Sequence, residues 1–246
     1  MEIIKIDKDN IEKEHICCAI SSNHDIQVES KKAWLSHEFD NGLVFKKMNI
    51  RGKCFIEYIP LENAWVNITG DCLVYINCLW VSGKYQGHGY AKELLENCIE
   101  DCLMQKRKGI VIISSRKKSS FVMDYRFLKK FGFCEVDQWN DYVLMFRSLD
   151  DHVDMPKFQI APIKDNDLIL YYSHQCPFNV KYVNLLKEYC DHQHIPLKCV
   201  HLQTSEEARK APTPLTTYSL FYQKQFITRE VLNAKKFQKI WETLHE

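Results

Sequence analysis

A turn with two glycines joins an apolar stretch to an amphipathic helix in the first half of the chain. The apolar stretch is Leu73 to Val81, the turn runs from Gln86 to Ala91 with its glycines at 87 and 89, and apolar residues fall at positions 91, 94, 95, 98, 99, 102 and 103. That spacing predicts a helix with one buried face, directly behind a buried strand. Glycines let the backbone approach a ligand closely, and the start of a helix aims free amides and the positive end of its dipole at one point. We therefore predict a strand, a tight turn and a helix that together can cradle an anion such as a pyrophosphate.

The residues of this turn resemble the signature of the GNAT superfamily of N-acetyltransferases. The run Gln86-Gly87-His88-Gly89-Tyr90-Ala91 follows the pattern Gln/Arg-x-x-Gly-x-Gly/Ala, with which those enzymes hold the pyrophosphate of coenzyme A. A dinucleotide-binding Rossmann turn is the rival interpretation, but the third glycine is missing and no alternation of strands and helices follows to build a parallel sheet. A second alternative is that the glycines only shape a strand-to-helix turn. The order of the flanking elements makes this the weaker interpretation.

The resemblance implies acetyl coenzyme A as the cosubstrate and two groups of residues that bind it. The end of the apolar strand would pair with the pantetheine arm through its backbone, and the amides of the turn would face the phosphates. Together these residues are Leu79, Trp80, Val81, Gln86, Gly87, His88, Gly89, Tyr90 and Ala91. His88 could add positive charge near the anion, although an exposed position without a binding role is the stronger interpretation.

The predicted order of elements over residues 1–149 is also that of the GNAT fold. A strand at 1–6 is followed by helical patches at 11–19 and 30–39, strands at 43–48, 54–58 and 71–81, the helix after the glycine turn, a strand at 110–114, a helix at 122–131, and strands at 134–139 and 142–146. The resemblance implies an α/β (α+β) acyl-CoA N-acyltransferase fold with a mixed, mostly antiparallel sheet.

One position that the family often uses in catalysis differs in this chain. Residues 127–133 resemble an element that ends a helix in many members, and Leu128 stands where that element often carries a tyrosine. Tyr125 lies one helical turn earlier and is our candidate general acid, with a packing role as an alternative that is at least as strong. For the general base, no side chain stands out among those that border the expected cleft, which are Asp71, Tyr75, Asn77 and Ser115.

A polar, proline-marked linker is predicted at 150–167, and a second unit at 168–246. Strands are predicted at 168–173 and 196–202, a hairpin at 217–222 and 225–228, and helices from 176 to about 190, at 205–210 and at 233–244.

This order resembles a smaller thioredoxin-like domain, with residues 211–214 where such folds place a cis-proline. The run Cys176-Pro177-Phe178-Asn179 resembles a glutaredoxin active-site turn in which Asn179 replaces the second cysteine. As a whole, the chain resembles the YoaP-like bacterial proteins.

Cys176 is the second candidate catalytic residue. A helix start should lower the pKa of its thiol and favour the thiolate. Because position 179 is not cysteine, a monothiol or binding role is favoured over dithiol chemistry, and an inert relic of the fold remains an alternative. A zinc site at Cys190, His192 and His194 would need a fourth ligand, and their spacing matches no common site, so no metal is predicted.

Composition limits the partners of the chain. Lys and Arg number 33 against 32 Asp and Glu, so charge suggests neither nucleic acid nor an anionic membrane as a partner. No stretch reaches membrane-spanning length and no signal-peptide core opens the chain. The eleven cysteines lie mostly in apolar periodic segments, which favours buried, reduced thiols and a cytoplasmic protein.

These observations predict an acetyl-CoA-dependent enzyme. We expect it to acetylate a primary amine of a small molecule or peptide, with the second domain shaping the choice of acceptor. Two alternatives stay open: a non-catalytic acyl-CoA sensor, suggested by Leu128, and a monothiol redox or thiol-binding module centred on Cys176.

Overall fold

The computed structural model describes residues 1–19, 24–117 and 122–245, which form two sheets with their helices. The first unit contains β1 (Ile3–Ile6), α1 (Ile26–Asp40), β2 (Val44–Met48), β3 (Cys54–Pro60), β4 (Leu73–Val81), α2 (Tyr90–Met104), β5 (Gly109–Ser115), α3 (Tyr125–Lys129), β6 (Cys134–Trp139) and β7 (Tyr142–Ser148). The second contains β8 (Leu168–Tyr172), α4 (Phe178–His192), β9 (Leu197–His201), α5 (Ser205–Lys210), β10 (Tyr218–Tyr222), β11 (Gln225–Thr228) and α6 (Ala234–Thr243).

The larger sheet has the strand order β1-β2-β3-β4-β5-β7-β6. All neighbouring strands in it are antiparallel except β4 and β5. The smaller sheet has the order β11-β10-β8-β9, in which only β8 and β9 are parallel. The predicted mixed, mostly antiparallel sheet of the first unit is thus confirmed.

The parallel pair β4 and β5 separates after a short ladder. Leu73, Val74 and Tyr75 pair with residues 109–111, and β4 then continues alone on this side to Val81. On its other side, β4 pairs with β3 from Val74 to Val81, with a shift in register at Asn77, which stands between the partners of Glu57 and Tyr58. Such a bulge bends a strand and redirects its side chains. The separation opens a cleft between β4 and β5, and the bulge lies beside it.

Helix α2 is held on the sheet by a buried apolar face and one polar network. Its buried residues are Leu94, Leu95, Cys98, Ile99 and Cys102. The Lys46 ammonium donates to the carboxylate of Asp101 at 2.6 Å and to the side-chain carbonyl of Asn97 at 2.7 Å, and the Tyr58 hydroxyl donates to the same carboxylate. These contacts fix the helix whose N-terminus follows the glycine turn.

The helical patch predicted at 11–19 is wrong, because this segment forms turns and bends. The Asp7 carboxylate accepts from the amides of Asp9 and Asn10 at 3.0 and 3.3 Å, which favours a local turn over a helix. Cys17 and Ala19 have φ of 65° and 51°, outside the helical region. The apolar spacing there reflects burial of Ile11, Ile16 and Cys17 against the core and not a helical face.

The helix predicted at 122–131 is also shorter than expected. The carboxylate of Asp124 caps α3 by accepting from the amide of Arg126 at 2.7 Å. Ahead of it, the Met123 carbonyl accepts from the hydroxyl of Ser114 at 2.5 Å, and Asp124 forms a bridge with Ser115. These residues pair with β5 and are therefore unavailable to the helix.

Several hydrogen bonds join the two units. The Arg209 guanidinium donates to the carbonyls of Ala64 at 3.1 Å and Leu61 at 3.0 Å, and also to that of Glu62. The buried amide of Asn67 donates to the carbonyl of Ala211 at 2.8 Å, and the buried Thr216 hydroxyl donates to the carbonyl of Trp65. The units therefore dock through buried contacts.

The segment at 150–167, predicted as a linker, is tied to the first unit. The amide of Thr69 donates to the carbonyl of Lys157, and the amide of Gln159 donates to the carbonyl of Asn67, both at 2.8 Å. The segment therefore contributes to the position of the second unit.

The cis-proline expected within residues 211–214 is wrong, because every peptide bond in this segment is trans. The Thr213 hydroxyl accepts from the amide of Leu215 and lies 3.0 Å from the hydroxyl of Ser219, so the turn is fixed around the intrinsically favoured isomer. All eleven cysteines are free thiols. Within the described ranges, no helix has the length and apolar character needed to cross a membrane.

Candidate active site

The glycine turn lies between the end of β4 and the start of α2. Gly87 and Gly89 have φ of 80° and 81°, a region that favours glycine, and a Cβ at either position would meet no atom within 4 Å. Gly89 is the N-cap of α2 and has no side chain to accept from the first amides of the helix. The Gln86 side chain donates to the carbonyl of Val81 at 3.2 Å, and the exposed His88 ring donates to the carbonyl of Gln86 at 2.9 Å. The turn thus presents backbone amides at an open surface.

Leu79, Trp80 and Val81 lie on the part of β4 that has separated from β5. Their other neighbours are residues 54–56 of β3, which complete one side of the ladder. The edge toward β5 can therefore pair with an extended group, which is the role that the family resemblance implies for this segment.

Two adjacent cavities lie where the units meet. The first, of about 50 Å³, lies between the separated strands, beside Tyr75 and Ile112. The second, of about 100 Å³, lies on the β3 side of β4 and is bordered by the turn at 175–178 of the second unit. Both cavities are lined by Asn77, Cys78, Gln175, Thr217 and Arg229. Because they share these walls, we call the two together the junction cavity.

A buried ion pair lines this junction cavity. The Lys31 ammonium lies 2.7 Å from the Glu57 carboxylate, and their side chains are 4% and 3% exposed. The second carboxylate oxygen of Glu57 accepts from the side-chain amide of Asn77 at 2.9 Å. Lys31 also lies over the Trp34 ring, 4.1 Å from its centroid. The carboxylate is thereby held at a fixed place beside the bulge of β4.

Asn77 has one buried polar atom that no group in the described chain satisfies. Its side-chain amide nitrogen donates to Glu57, but its carbonyl oxygen accepts no hydrogen bond. A buried acceptor without a donor is unfavourable by about 1–3 kcal/mol. Because Asn77 lines both parts of the junction cavity, a bound N–H donor would satisfy this oxygen.

Cys176 lies at the junction cavity, but its expected thiolate character is wrong. Burial raises the pKa of its thiol, and this effect exceeds the opposing effects of the Phe178 amide and of Lys31. Burial also raises the pKa values of the neighbouring Cys18 and Cys78 thiols. All three are therefore protonated at neutral pH. The helix start lowers the pKa less than the loss of water raises it.

Asn179 has a structural role at the position where the resemblance places a second cysteine. Its side chain is buried, and its amide donates to the carbonyl of Ser173 at 2.8 Å and to that of Thr217. These bonds connect the start of α4 to the segments before and after it in the second sheet. Asn179 therefore holds the turn that carries Cys176.

Tyr125 lies at a third cavity, of about 290 Å³, at the end of β5. Its hydroxyl accepts from Arg126 at 3.5 Å, and the Lys129 ammonium lies 5.3 Å from its ring centroid. This cavity and the first part of the junction cavity are both lined by Val122 and Met123, so Tyr125 lies close to the separated strands. Leu128 is fully buried in the core beneath.

The four candidate bases occupy different places. Asn77 and Tyr75 line the junction cavity, where burial raises the pKa of the Tyr75 hydroxyl. Asp71 is exposed at the end of β4 that is remote from the glycine turn. Ser115 lines the cavity of Tyr125, and its hydroxyl donates to the carbonyl of Asp141 at 3.1 Å. The sequence patterns did not indicate Glu57, Lys31 or Arg229. Only the apolar residues on both sides of Glu57 in β3 could have suggested a buried charge there.

Metal ligation has no geometric basis in the described ranges, where no group of three or more His, Cys, Asp or Glu side chains could hold an ion. Cys190 is fully buried in the second core, and its pKa is raised to about 12 by burial.

Comparisons with known proteins give two family matches and one long relative. Residues 9–133 match the model of the acetyltransferase (GNAT) family, and residues 196–239 match a model described as YoaP-like. An uncharacterized N-acetyltransferase of Bacillus subtilis (strain 168), YoaP, is 39% identical over 247 residues, which cover 98% of each chain.

Solved structures of acetyltransferases are similar to part of this chain. The PaiA N-acetyltransferase of Thermoplasma acidophilum, in complex with coenzyme A, is 16% identical and covers 60% of this chain and 99% of its own, with a TM-score of 0.42. A putative acetyltransferase of Salmonella typhimurium, YncA, solved with acetyl-CoA, is 16% identical and covers 61% of this chain and 95% of its own, with a TM-score of 0.45.

Proposed function

Because the chain belongs to the acetyltransferase (GNAT) family, we propose that it moves an acetyl group from acetyl-CoA to the primary amine of a small molecule or peptide in the junction cavity. Family membership confirms the predicted enzyme class, an N-acetyltransferase, and acetyl-CoA as its cosubstrate. The observation that supports the proposed site is that the free edge of β4 leads from the glycine turn to a cavity that holds Glu57 and the unsatisfied oxygen of Asn77.

The residues along β4 fit the cosubstrate. The amides at 87–91 would hold the pyrophosphate, since the glycines keep this surface open and the helix dipole favours an anion there. The backbone of Leu79, Trp80 and Val81 would pair with the pantetheine arm. The thioester supplies an activated acetyl group, so a C–N bond forms, the C–S bond breaks, the amine loses one proton and the sulfur gains one.

Glu57 and Asn77 would position the amine. An attacking amine must lose its extra proton and direct its lone pair at the acetyl carbon. One Glu57 oxygen accepts from Lys31 and the other from Asn77, and each retains a second lone pair for an N–H donor. The Asn77 oxygen can accept another N–H bond. Together they would fix the nitrogen beside the free edge of β4.

Tyr125 is the proposed acid for the departing sulfur. It lies near the separated strands, and two cations adjoin its ring, from Arg126 at 5.7 Å and Lys129 at 5.3 Å. Leu128, which suggested a non-catalytic sensor, packs in the core, so its identity has an explanation in packing. The raised pKa of Cys176 gives no support to a thiol-exchange module.

The second unit would shape the choice of acceptor. It supplies Gln175, Cys176 and Arg229 to the wall of the junction cavity. We propose that residues 1–149 form the acetyltransferase domain, residues 150–167 connect it, and residues 168–246 form a thioredoxin-like domain whose active-site turn has become a wall for a substrate. We further propose that the protein acts in the cytoplasm, since its eleven cysteines are free thiols.

Calorimetry with acetyl-CoA tests the proposed cosubstrate site. We expect the wild type to bind, and Gly89→Trp to lose binding because the indole would fill the phosphate path. Gly132→Trp is the matched control: Gly132 has φ of 78° and open surroundings, and it lies in the turn after α3. Absence of binding in the wild type, or equal loss in the control variant, would refute this assignment of the turn. Release of free thiol with a panel of primary amines tests catalysis.

A further inference from the structure

The junction cavity contains more positive than negative charge. Lys31, Lys53 and Arg229 line its second part, against the single carboxylate of Glu57. Lys31 forms an ion pair with Glu57, whereas neither Lys53 nor Arg229 has a carboxylate partner in the described part of the chain. Lys53 lies 5.6 Å from the ring centroid of Phe178, and Arg229 lies 5.9 Å from that of Tyr142. Two partly buried cations therefore face the cavity without a counter-charge.

Such cations favour an anion in the cavity. Removing a guanidinium from water is unfavourable unless an anion compensates it, and its planar fork matches a carboxylate through two parallel hydrogen bonds. Arg229 shares a cavity wall with Asn77 and Cys78, which lie in the middle of β4. The glycine turn follows the far end of that strand. The proposed pyrophosphate position is thus separate from Arg229.

Aromatic side chains form one side of the second part of the cavity. The Phe45 and Phe55 rings stack with centroids 5.0 Å apart, and Trp80 and Phe178 complete this side. The volume of about 100 Å³ is small, since sites for drug-sized ligands occupy roughly 300–1,000 Å³. A compact acceptor with an apolar body and an anionic end fits these walls.

The excess positive charge also assists the proposed reaction. A cation near a protonated amine raises the free energy of the charged form and lowers the pKa of that amine. More of the amine then carries the lone pair that attack requires, while a carboxylate on the same molecule would anchor it at Arg229.

We propose that the acceptor is an amine that also carries a carboxylate on a compact apolar or aromatic body, in the manner of an apolar amino acid, and that Arg229 and Lys53 select it. This inference rests on the proposed function, because it takes the junction cavity as the acceptor site. It adds the class of acceptor and two specificity-determining residues.

Binding of a matched pair of probes tests the inference on the full chain. The probes are 3-phenylpropionate and 3-phenylpropionamide, which differ only in the anionic end. We expect the wild type to bind the carboxylate at least about tenfold more tightly, as hydrogen bonds to charged groups are worth more than neutral ones. Arg229→Gln should remove most of that preference and Lys53→Gln part of it. Lys224→Gln, at an exposed position in the β10–β11 turn, should leave it unchanged.

Parallel titration with acetyl-CoA separates the two proposals. Equal binding of both probes by the wild type, or a preference that survives in both Arg229→Gln and Lys53→Gln, would overturn the inference even if acetyl-CoA binds normally. Failure of acetyl-CoA to bind would instead remove the proposed function. Should Arg229→Gln fail to fold, the preference of the wild type for the carboxylate probe and its reduction in Lys53→Gln still test the inference. Acetylation rates for L-phenylalanine and its methyl ester provide the catalytic counterpart, with the free acid expected to be the better acceptor by KM.

Discussion

The glycine turn and the junction cavity are built in opposite ways. The turn uses six consecutive residues, 86–91, at the start of one helix, and these are mostly exposed. The cavity combines residues that are far apart in sequence: Lys31 on α1, Glu57 on β3, Asn77 on β4, and Cys176 and Arg229 in the second unit. The site for a common cosubstrate is thus local, whereas the site for a particular acceptor depends on the docking of two units.

This difference implies different responses to substitution. Side chains added at the turn meet open space, so they should alter binding more than stability. Side chains of the junction cavity also belong to buried networks, so their loss should alter stability and catalysis together.

The largest expected effect is at the buried ion pair. Glu57→Leu leaves the Lys31 ammonium, whose side chain is 4% exposed, without its partner. Breaking a buried pair from one side costs about 3–5 kcal/mol. We expect a loss of that size in the free energy of unfolding, measured by urea denaturation, together with loss of acetyl transfer. Asp40→Leu, which breaks an exposed pair with Lys8, should cost under about 1 kcal/mol.

A double variant separates the two roles of Glu57. Lys31→Leu combined with Glu57→Leu replaces the pair by apolar side chains, which is often neutral or stabilising. We expect stability to return toward the wild-type value while acetyl transfer stays low, because the carboxylate that positions the amine is absent. Recovery of activity in this double variant would show that Glu57 serves only the fold.

A smaller effect is expected at Asn179. Asn179→Ala removes the donor to the carbonyls of Ser173 and Thr217, and should cost about 2–3 kcal/mol in unfolding free energy. Because Thr217 lines the junction cavity, the KM for the amine should rise while the affinity for acetyl-CoA stays near the wild-type value. Asn184→Ala, at an exposed position of the same helix, should change stability by less than about 0.5 kcal/mol. An equal loss of acetyl-CoA binding would contradict the separation of the two sites.

The sequence predicted the local part of this architecture and missed the assembled part. Most of the elements along the chain and the glycine turn follow from periodicity and turn chemistry, which act between near neighbours. The patch at 11–19 failed because Ile11, Ile16 and Cys17 are buried by distant residues, so their spacing imitates a helix. Glu57 and Arg229 carry no local pattern, because their partners are brought to them only by folding. The prediction for Cys176 was wrong for the same reason. Burial at the junction, which depends on distant residues, raises the pKa of its thiol more than the helix start lowers it.

The smallest effect concerns the reactivity of Cys176. Only the thiolate attacks iodoacetamide, so the pH dependence of alkylation reports the pKa of the thiol. Burial raises this pKa from its ordinary value of 9.0, and alkylation should therefore be slow at neutral pH and rise with an inflection above that value. Peptide mass spectrometry follows each cysteine separately, with the exposed Cys134 as the reference for access of the reagent.

The cause of this shift can be tested at the docking contacts. If the raised pKa of Cys176 comes from closure of the junction, Arg209→Ala should lower it, because that variant removes the bonds from the guanidinium to the carbonyls of Leu61, Glu62 and Ala64. Lys210→Ala, which removes only an exposed pair with Glu206, should leave the profile unchanged. An inflection below the ordinary value in the wild type would mean that the helix start governs the thiol. The reactivity of Cys176 would then be set by residues adjacent in sequence, as the glycine turn of the first unit is.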